Sequence, residues 1–294
     1  MIRYPITKKA LEALIDQKKK GWLIEAKKRT AVFIANGKYD EKSSIWSAVK
    51  PIYMRLQGES KCAYCEQQLE SVDLGKAVQD VEHFRPKGSV KAWKAPKALT
   101  DAGIPFAIPP ATGGYYALPY HPFNYAASCK PCNSALKKDH FPVAAVHDLA
   151  GTNPRALRSE KAYLIYPIGS IDEDPEKLIE FYGVSPRPVS KRGHRKARAW
   201  VTIEFFRLDD PLKRKNLFLE RARMIMTVES FLRRLTGNPT AADKAAAEKV
   251  IKAYTRPSSP HTNCVRSFVR LYKRDRPAAE AIAESALDLI ASSS

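Results

Sequence analysis

Two Cys-x-x-Cys pairs constrain the fold of this 294-residue chain more than any other feature of its sequence. Cys62 and Cys65 form the first pair, and Cys129 and Cys132 form the second. Each pair places two thiolates on one tight turn, so the two pairs together supply the four soft ligands of a tetrahedral zinc site. Four protein thiolates leave no open coordination position for a substrate. The spacing therefore predicts a structural zinc ion, not a catalytic one.

Paired cysteines also occur in redox motifs and in disulfide frameworks. No βαβ pattern surrounds either pair, which argues against a thioredoxin-like motif. Five cysteines are too few for a disulfide scaffold in a chain of this length, and the first residues lack the apolar stretch of a secretory signal. No apolar run approaches the roughly 18 residues that span a bilayer. We therefore expect a soluble cytoplasmic protein without a membrane partner, in which Cys264 is a buried core residue.

Hydrophobic periodicity and composition divide the chain into three parts. Residues 1–57 show helical spacing of apolar side chains, and residues 151–294 return to the same pattern. Between them, residues 58–150 concentrate cysteine, histidine, proline and aromatic residues. Loop-rich modules of this kind usually need an internal cross-link, such as a bound metal ion, in place of a large hydrophobic core. The sequence thus predicts an N-terminal helical segment, a zinc-stapled central module and a basic C-terminal helical domain.

Several helix boundaries are indicated by capping residues. Thr7 is a candidate N-cap for a first helix, and Gly37 marks the end of a second. Pro51 falls inside a third helical pattern, where it should kink the helix or mark its first turn. Asp174 precedes a proline and predicts the start of a short helix that ends near Gly183.

The interval between the cysteine pairs, with the residues that flank the second pair, suggests a catalytic site. Glu82 and His83 are adjacent there, Asn124 lies five residues before the second pair, and Asn133 follows that pair directly. Hydrolysis of a phosphodiester near neutral pH needs an activated water, and the pKa of histidine suits that role. It also needs positive charge at the phosphate, which Mg²⁺ supplies while taking only one or two protein oxygens. The Glu82 carboxylate and the Asn133 amide meet that need.

These site residues also have plainer interpretations. A histidine beside a glutamate is usually a surface pair, and an asparagine before a Cys-x-x-Cys motif is usually a turn residue. In addition, Glu82 and His83 would point to opposite sides of an extended segment. A turn or bulge would then be needed for both to serve one site.

A histidine beside a carboxylate, with an asparagine on each side of the second cysteine pair, resembles the HNH family of endonucleases. The segments VEHFRPK and NYAASCKPCN carry this resemblance, together with the four cysteines of the predicted zinc site. The resemblance implies an α+β fold in which a ββα-metal, treble-clef-like module lies between helical regions. A hairpin would carry His83 as general base, and a helix would carry Asn133. Glu82 and Asn133 would hold Mg²⁺ or another divalent ion, and Asn124 would brace the loop that bears the histidine. Glu82 stands where the family more often has aspartate.

A narrower resemblance, over roughly residues 60–225, is to the PtuB nuclease component of Septu-type anti-phage systems, which is also associated with retrons. It rests on the segments CAYCE, EHFRPKG, YYALPYHPFNYAASCKPCN and YLIYPIGSIDEDPEKLIEF. The chain departs from this family in having Leu136 where a lysine is usual, with Lys137 one residue later. It also has an extra proline-rich stretch at residues 95–112, either a lid or a passive insertion. The resemblance implies an antiviral effector that cleaves DNA and has an ATPase as its usual companion.

Positive charge is the other strong feature, with a formal net charge of +19. Residues 187–234 contribute +9 of it, from fourteen Lys and Arg against five Asp and Glu. A folded protein this basic most often has a polyanionic partner, nucleic acid first. The stretch predicts a phosphate-tracking surface, with a solvated face as the alternative. Four cations that are closer in sequence to the candidate catalytic residues are predicted to contact phosphate directly: Arg85, Lys87, Lys137 and Lys138.

The sequence therefore predicts a hydrolase, a metal-dependent HNH endonuclease that acts on DNA. Two other functions remain open. The chain could be a zinc-supported nucleic-acid-binding module that does not cut, or an RNase that uses the same site. No base-reading motif indicates which sequence would be bound.

Overall fold

The computed structural model describes residues 1–106 and 109–293 and has a mixed α/β structure, about half of it helical. The α-helices are α1 (Lys8–Lys18), α2 (Trp22–Asn36), α3 (Lys50–Leu56), α4 (Val72–Val78), α5 (Lys97–Asp101), α6 (Gly193–Phe205), α7 (Lys215–Arg234), α8 (Ala241–Tyr254), α9 (Thr262–Arg274) and α10 (Arg276–Ala291). The strands are β1 (Asp80–His83), β2 (Ser89–Val90), β3 (Thr112–Gly113), β4 (Tyr125–Ser128), β5 (Ile179–Tyr182) and β6 (Ser185–Pro188). None of the helices in these ranges is long and apolar enough to cross a membrane.

The N-terminal helices begin and end where their capping residues predict. The Thr7 hydroxyl accepts a hydrogen bond from Ala10 N at the start of α1. Gly37 takes the left-handed conformation, φ +61°, that ends α2. Pro51 lies in the first turn of α3, and a 3-10 turn at Trp46–Val49 precedes it. The third helical pattern of the sequence is therefore not one helix but a 3-10 turn followed by an α-helix that begins near the proline.

Two short antiparallel strands form the centre of the middle part. β1 pairs with β4 in a register that joins Asp80 to Ser128 and His83 to Tyr125. After β4, residues Pro131–Lys137, which include the last cysteine of the second pair, form a π-helix. The pairing of β1 with β4 is regular from Asp80 to His83, so no bulge interrupts the strand that carries Glu82 and His83.

The prediction of a short helix that begins at Asp174 and ends near Gly183 is wrong. Asp174 caps only a 3-10 turn at Pro175–Lys177, and the chain then continues into β5, which pairs antiparallel with β6. Along β5, buried residues alternate with more exposed ones, which is the period of a half-buried strand. Gly183, with φ +62°, lies in the tight turn between β5 and β6 and does not end a helix.

One continuous hydrophobic core joins the three parts of the chain. Its buried members include Leu11 in α1, Tyr64 between the first two cysteines, Phe206 at the end of α6 and Val265 in α9. Tyr64 stacks on Phe206 with ring centroids 4.1 Å apart, so the first cysteine turn packs directly on the C-terminal part. In that part, α7 packs against α8, α9 and α10.

The proline-rich stretch at 95–112 packs on α6. Leu99 and Ile104 are buried in a small separate cluster with Tyr163 and with Val201 of α6. Residues 107 and 108 of this stretch lie outside the described residues. The described part of the stretch is therefore anchored to the C-terminal part by apolar contacts.

Candidate metal centre and active site

The four cysteines of the two pairs meet in one cluster. Their sulfur atoms all lie within 4.8 Å of one another, and all four residues are buried. Cys65 Sγ and Cys129 Sγ are 3.8 Å apart. Zn–S bonds of about 2.3 Å in a tetrahedron separate the sulfurs by about 3.8 Å. Among the described residues the prediction of a four-cysteine cluster that could bind zinc is thus confirmed in its geometry.

Backbone and side-chain contacts hold the cluster against β4. Gln57, buried at the end of α3, bonds to both the N–H and the carbonyl oxygen of Ala127 and also donates to Lys61 O. Ala63 N donates to Ala127 O. The first cysteine turn is therefore fastened to the strand that leads into the second pair, which sets the distance between the pairs.

An arginine from the C-terminal part completes the surroundings of the cluster. The guanidinium of Arg214 lies 3.7 and 3.8 Å from Cys132 Sγ through its two terminal nitrogens. A cation at this place offsets the negative charge of thiolates. Arg214 belongs to the basic stretch 187–234, and no local pattern in the sequence distinguishes it from its basic neighbours.

The basic stretch as a whole is less exposed than its composition suggests. Arg198 is 7% exposed and Arg221 is 1% exposed, and both donate to backbone carbonyl oxygens of other segments. Together with Arg214 they stabilise the interior of the protein. A phosphate-tracking surface here must therefore be formed by the remaining, exposed cations.

The π-helix lies across the face of β1 that carries alternate residues Asp80 and Glu82. Asn133 Nδ2 donates to Asp80 Oδ2 over 3.1 Å. Lys137 Nζ lies 2.6 Å from Glu82 Oε1 and donates to His83 O over 2.9 Å. The π-helix therefore packs on β1 through polar contacts made by Asn133 and Lys137.

Asn133 and Lys137, four residues apart, contact the same face of β1 from the π-helix. Lys138 N donates to Asn133 O over 2.7 Å, a five-residue hydrogen bond that widens the helical turn. In an α-helix, residues three and four apart share a face. In the wider turn, the residue four positions after Asn133 contacts the same face of β1 as Asn133 does.

Glu82 and Lys137 form a buried ion pair. Glu82 is 2% exposed and the Lys137 side chain is fully buried. Burial raises the pKa of Glu82 to about 7, and the nearby charge of Lys137 opposes that shift. Removal of either partner would leave the other as an uncompensated buried group.

His83 points away from Glu82, as strand alternation requires, and packs among aromatic rings. Its ring centroid is 4.7 Å from that of Trp46 and 5.1 Å from that of Tyr125. Nε2 lies 3.2 Å from Pro119 O. A carbonyl oxygen only accepts, so Nε2 carries the proton in this contact and Nδ1 keeps its lone pair. Among the described residues, Nδ1 has no hydrogen-bond partner.

The surroundings of His83 favour its neutral form. Burial lowers the pKa of His83 well below its usual value, and the charges of Lys87 and Lys137 lower it further. The Lys87 ammonium lies 4.7 Å from the ring centroid of Trp46, the same ring that contacts His83. At neutral pH the imidazole is therefore unprotonated, which is the state that a general base needs.

Asn124 fastens the segment that follows His83. Its side-chain oxygen accepts a hydrogen bond from Arg85 N over 2.8 Å, and Nδ2 donates to Arg85 O and Leu118 O. Phe84 N donates to Asn124 O. Asn124 is fully buried, so these contacts have no competing water. The Asn124 side chain thus connects the segment that follows His83 to Leu118, the residue before Pro119, whose carbonyl oxygen contacts the His83 ring.

We expect Asn124→Ala to destabilise the protein by roughly 2–4 kcal/mol, because it leaves the buried N–H and carbonyl oxygen of Arg85 without partners and removes one of the two donors to Leu118 O. Urea unfolding followed by circular dichroism measures the change. Asn153→Ala is the matched control, because Asn153 is exposed and, in the part of the chain that the structure describes, its side chain accepts only the nearby Arg155 N–H. If both variants lose equally little stability, Asn124 does not brace this loop.

Two of the four predicted phosphate contacts need correction. Arg85 is 4% exposed and directs its guanidinium to the buried carboxylate of Glu160, with both distances 3.0 Å. Lys137 is fully buried against Glu82. Neither cation is free to meet a phosphate in solvent. Lys138 is exposed and Lys87 is partly exposed, so these two remain available.

The oxygen donors near Asn133 are chemically suited to a divalent ion. Asn133 uses its amide nitrogen on Asp80, and its amide oxygen has no hydrogen bond among the described residues. Glu82 engages Lys137 through Oε1, which leaves Oε2 as a further donor. Magnesium takes oxygen ligands and needs only one or two from the protein. Asp80 adds a carboxylate on the same face of β1, two residues before Glu82, a spacing that the strand period could have indicated.

The chain matches no protein-family model, and comparison with curated proteins and with solved structures finds no match either. The resemblance to HNH nucleases therefore stays an expectation drawn from the residues.

Proposed function

We propose that the protein is a metal-dependent HNH endonuclease that hydrolyses phosphodiester bonds of DNA. The observation that carries the proposal is the arrangement of His83. Its ring is oriented by Pro119 O, its neutral form is favoured by burial and by neighbouring cations, and Nδ1 is left with a free lone pair. An imidazole in this state can accept a proton from water.

In the proposed reaction, His83 takes the proton of the attacking water at Nδ1. The hydrogen bond at Nε2 and the contacts with Trp46 and Tyr125 fix the ring, so no rotation is needed before proton transfer. Glu82 and Asn133 would hold a divalent ion on the face of β1 opposite the His83 ring. The proposal therefore requires the scissile phosphate to lie past the end of β1, where His83 is the last residue, and the ion would supply positive charge to that phosphate. Asn124 keeps the segment after His83 in place.

The approach of a polyanion is supported by cations near His83, one partly exposed and one exposed, and by exposed cations in the C-terminal part. The Lys87 ammonium lies over the ring of Trp46, which in turn contacts the His83 ring. Lys138 is exposed at the end of the π-helix. Exposed Lys and Arg side chains also continue along the C-terminal part: Lys191, Arg192, Lys213, Lys215 and Arg223. Counterion release from a phosphate backbone would make binding at these cations strongly dependent on salt. A role as antiviral effector with an ATPase partner rests on the family resemblance alone.

Incubation of the purified protein with supercoiled plasmid and with total RNA tests the proposal. Each substrate is offered with Mg²⁺ and in buffer stripped of divalent ions, and the zinc content of the protein is measured afterwards. We expect Mg²⁺-dependent nicking or linearisation of the plasmid. Cleavage of RNA alone would make the protein an RNase, and a plasmid that is retarded in a gel but stays intact would favour the non-cleaving binding module.

A further inference from the structure

A cavity of about 410 Å³ lies beside the segment that follows His83. Phe84 and Arg85 form part of its wall, and the 3-10 turn Ala156–Glu160 and the first turns of α6 form other parts. Its volume falls in the range of small-molecule sites. The His83 ring packs on Trp46 and Tyr125, which do not line this cavity, so the cavity is distinct from the site of the proposed base.

The charges around this cavity are mostly positive. Five cationic side chains and two carboxylates line it. Asp172 is already paired with Arg198, and Glu173 is already paired with Arg195 and lies near Arg198. Both carboxylates are therefore occupied by cations of the same wall.

Two of the lining cations have no such partner. Arg158 and Lys161 are exposed, and neither forms an ion pair with any carboxylate in the described ranges. Arg158 uses one nitrogen on Ile171 O, and its remaining N–H groups face no acid. Two unpaired cations at the rim of one cavity produce a positive potential that a bound anion would relieve.

The start of α6 strengthens this potential. The first turn of α6 has no acidic residue, and its N-cap, Arg192, makes no side-chain capping hydrogen bond. His194 and Arg195 stand in that first turn and line the cavity. The N-terminal end of a helix carries partial positive charge, and among the described residues Glu173 is the carboxylate that pairs with Arg195 there. Free N–H groups at such an end are also donors for an anionic oxygen.

Buried polar atoms without partners lie in the same wall. Arg198 is more than nine-tenths buried, and its Nε is buried without a hydrogen-bond partner in the described structure. His194 Nε2 is also buried without a hydrogen-bond partner there, although the residue as a whole is half-buried. Buried donors without acceptors are costly and uncommon in folded proteins. Both atoms belong to residues that line this cationic cavity, so an acceptor bound there from outside the chain would satisfy Arg198 Nε.

We propose that this cavity binds a phosphate group carried by a ligand of about mononucleotide size. Arg158, Lys161 and the N-terminal end of α6 would contact the phosphate oxygens through charge-assisted hydrogen bonds. Leu157 and Ile171 give the cavity an apolar wall for the non-phosphate part of the ligand. The ligand is either a free nucleotide or the 5′-phosphorylated end of a strand. The proposal does not depend on catalysis at His83.

Isothermal titration calorimetry of the full chain in buffer without divalent ions tests it. The probes are adenosine 5′-monophosphate, a 5′-phosphorylated oligonucleotide and the same oligonucleotide with a 5′-hydroxyl. We expect saturable binding of a phosphorylated probe and a dissociation constant at least about tenfold higher for the Arg158→Ala/Lys161→Ala variant. Binding of the monophosphate identifies a free nucleotide as the source, and binding of the phosphorylated strand alone identifies a strand end.

The matched control removes the same charge elsewhere. Lys244 and Arg256 are exposed, do not line the cavity and lie outside the cations proposed to bind nucleic acid, so Lys244→Ala/Arg256→Ala should bind the phosphorylated probe within about twofold of the unmodified chain. An equal loss of affinity for the phosphorylated probe in both double variants would mean that only the net charge of the protein matters, and it would overturn the proposal. So would the absence of saturable binding of both phosphorylated probes up to about 10 mM. Because no cleavage is measured, these outcomes are independent of the proposed nuclease function.

Discussion

Cys62→Ser is expected to prevent stable folding, not merely to lower activity. Cys62 is fully buried and its sulfur belongs to the four-cysteine cluster. Structural zinc contributes apparent free energies of about 10–16 kcal/mol in zinc-finger peptides. Whole domains are stable by only about 5–15 kcal/mol. Loss of one of four ligands weakens zinc binding, and the contribution that depends on this binding is as large as the total stability.

Zinc content, measured by mass spectrometry, and thermal unfolding, followed by circular dichroism, check this result together. Cys264→Ser is the matched control, because Cys264 is equally buried but lies outside the cluster and bonds to Gly183 O. A serine there can make the same hydrogen bond, so the variant should keep its zinc and lose about 1 kcal/mol. A Cys62→Ser protein that unfolds cooperatively near the original temperature without zinc would rule out a structural role for the metal.

The cysteine cluster was predictable because its information is local. Each pair fixes two ligands on one turn, and only one association between the two turns is needed. Arg214, which faces Cys132, comes from a helix start far along the chain and has the same sequence character as its basic neighbours. Sequence patterns describe how a segment folds, and they do not describe which distant segment packs on it.

The incorrect predictions have the same physical origin. The residues after Asp174 have a helix start signal, but alternating burial against α9 and a left-handed Gly183 favour a hairpin. Arg85 and Lys137 have charges that suit phosphate, yet each is buried against a glutamate. Arg85 and Glu160 are 75 residues apart in sequence, so no local signal marks the pair.

His83→Ala is expected to lower the rate of plasmid cleavage by about 10²–10⁴-fold, because general-base catalysis typically contributes that much. Zinc content and DNA affinity should stay close to those of the unmodified chain, since His83 is outside the cysteine cluster and carries no charge in its neutral form. The cleavage rate is measured with Mg²⁺ under single-turnover conditions. DNA affinity is measured separately without divalent ions.

A buried histidine also packs, so loss of activity must be separated from loss of structure. His147→Ala is the matched control, because His147 also bonds through Nε2 to a backbone carbonyl, that of Phe141, and packs on a tyrosine ring. The two substitutions remove the same kind of contact, yet only His83 is predicted to take a proton from water. Equal losses of cleavage would mean that packing alone explains the effect. Cleavage by His83→Ala within a few-fold of the unmodified rate would show that another group activates the water, which excludes the proposed base.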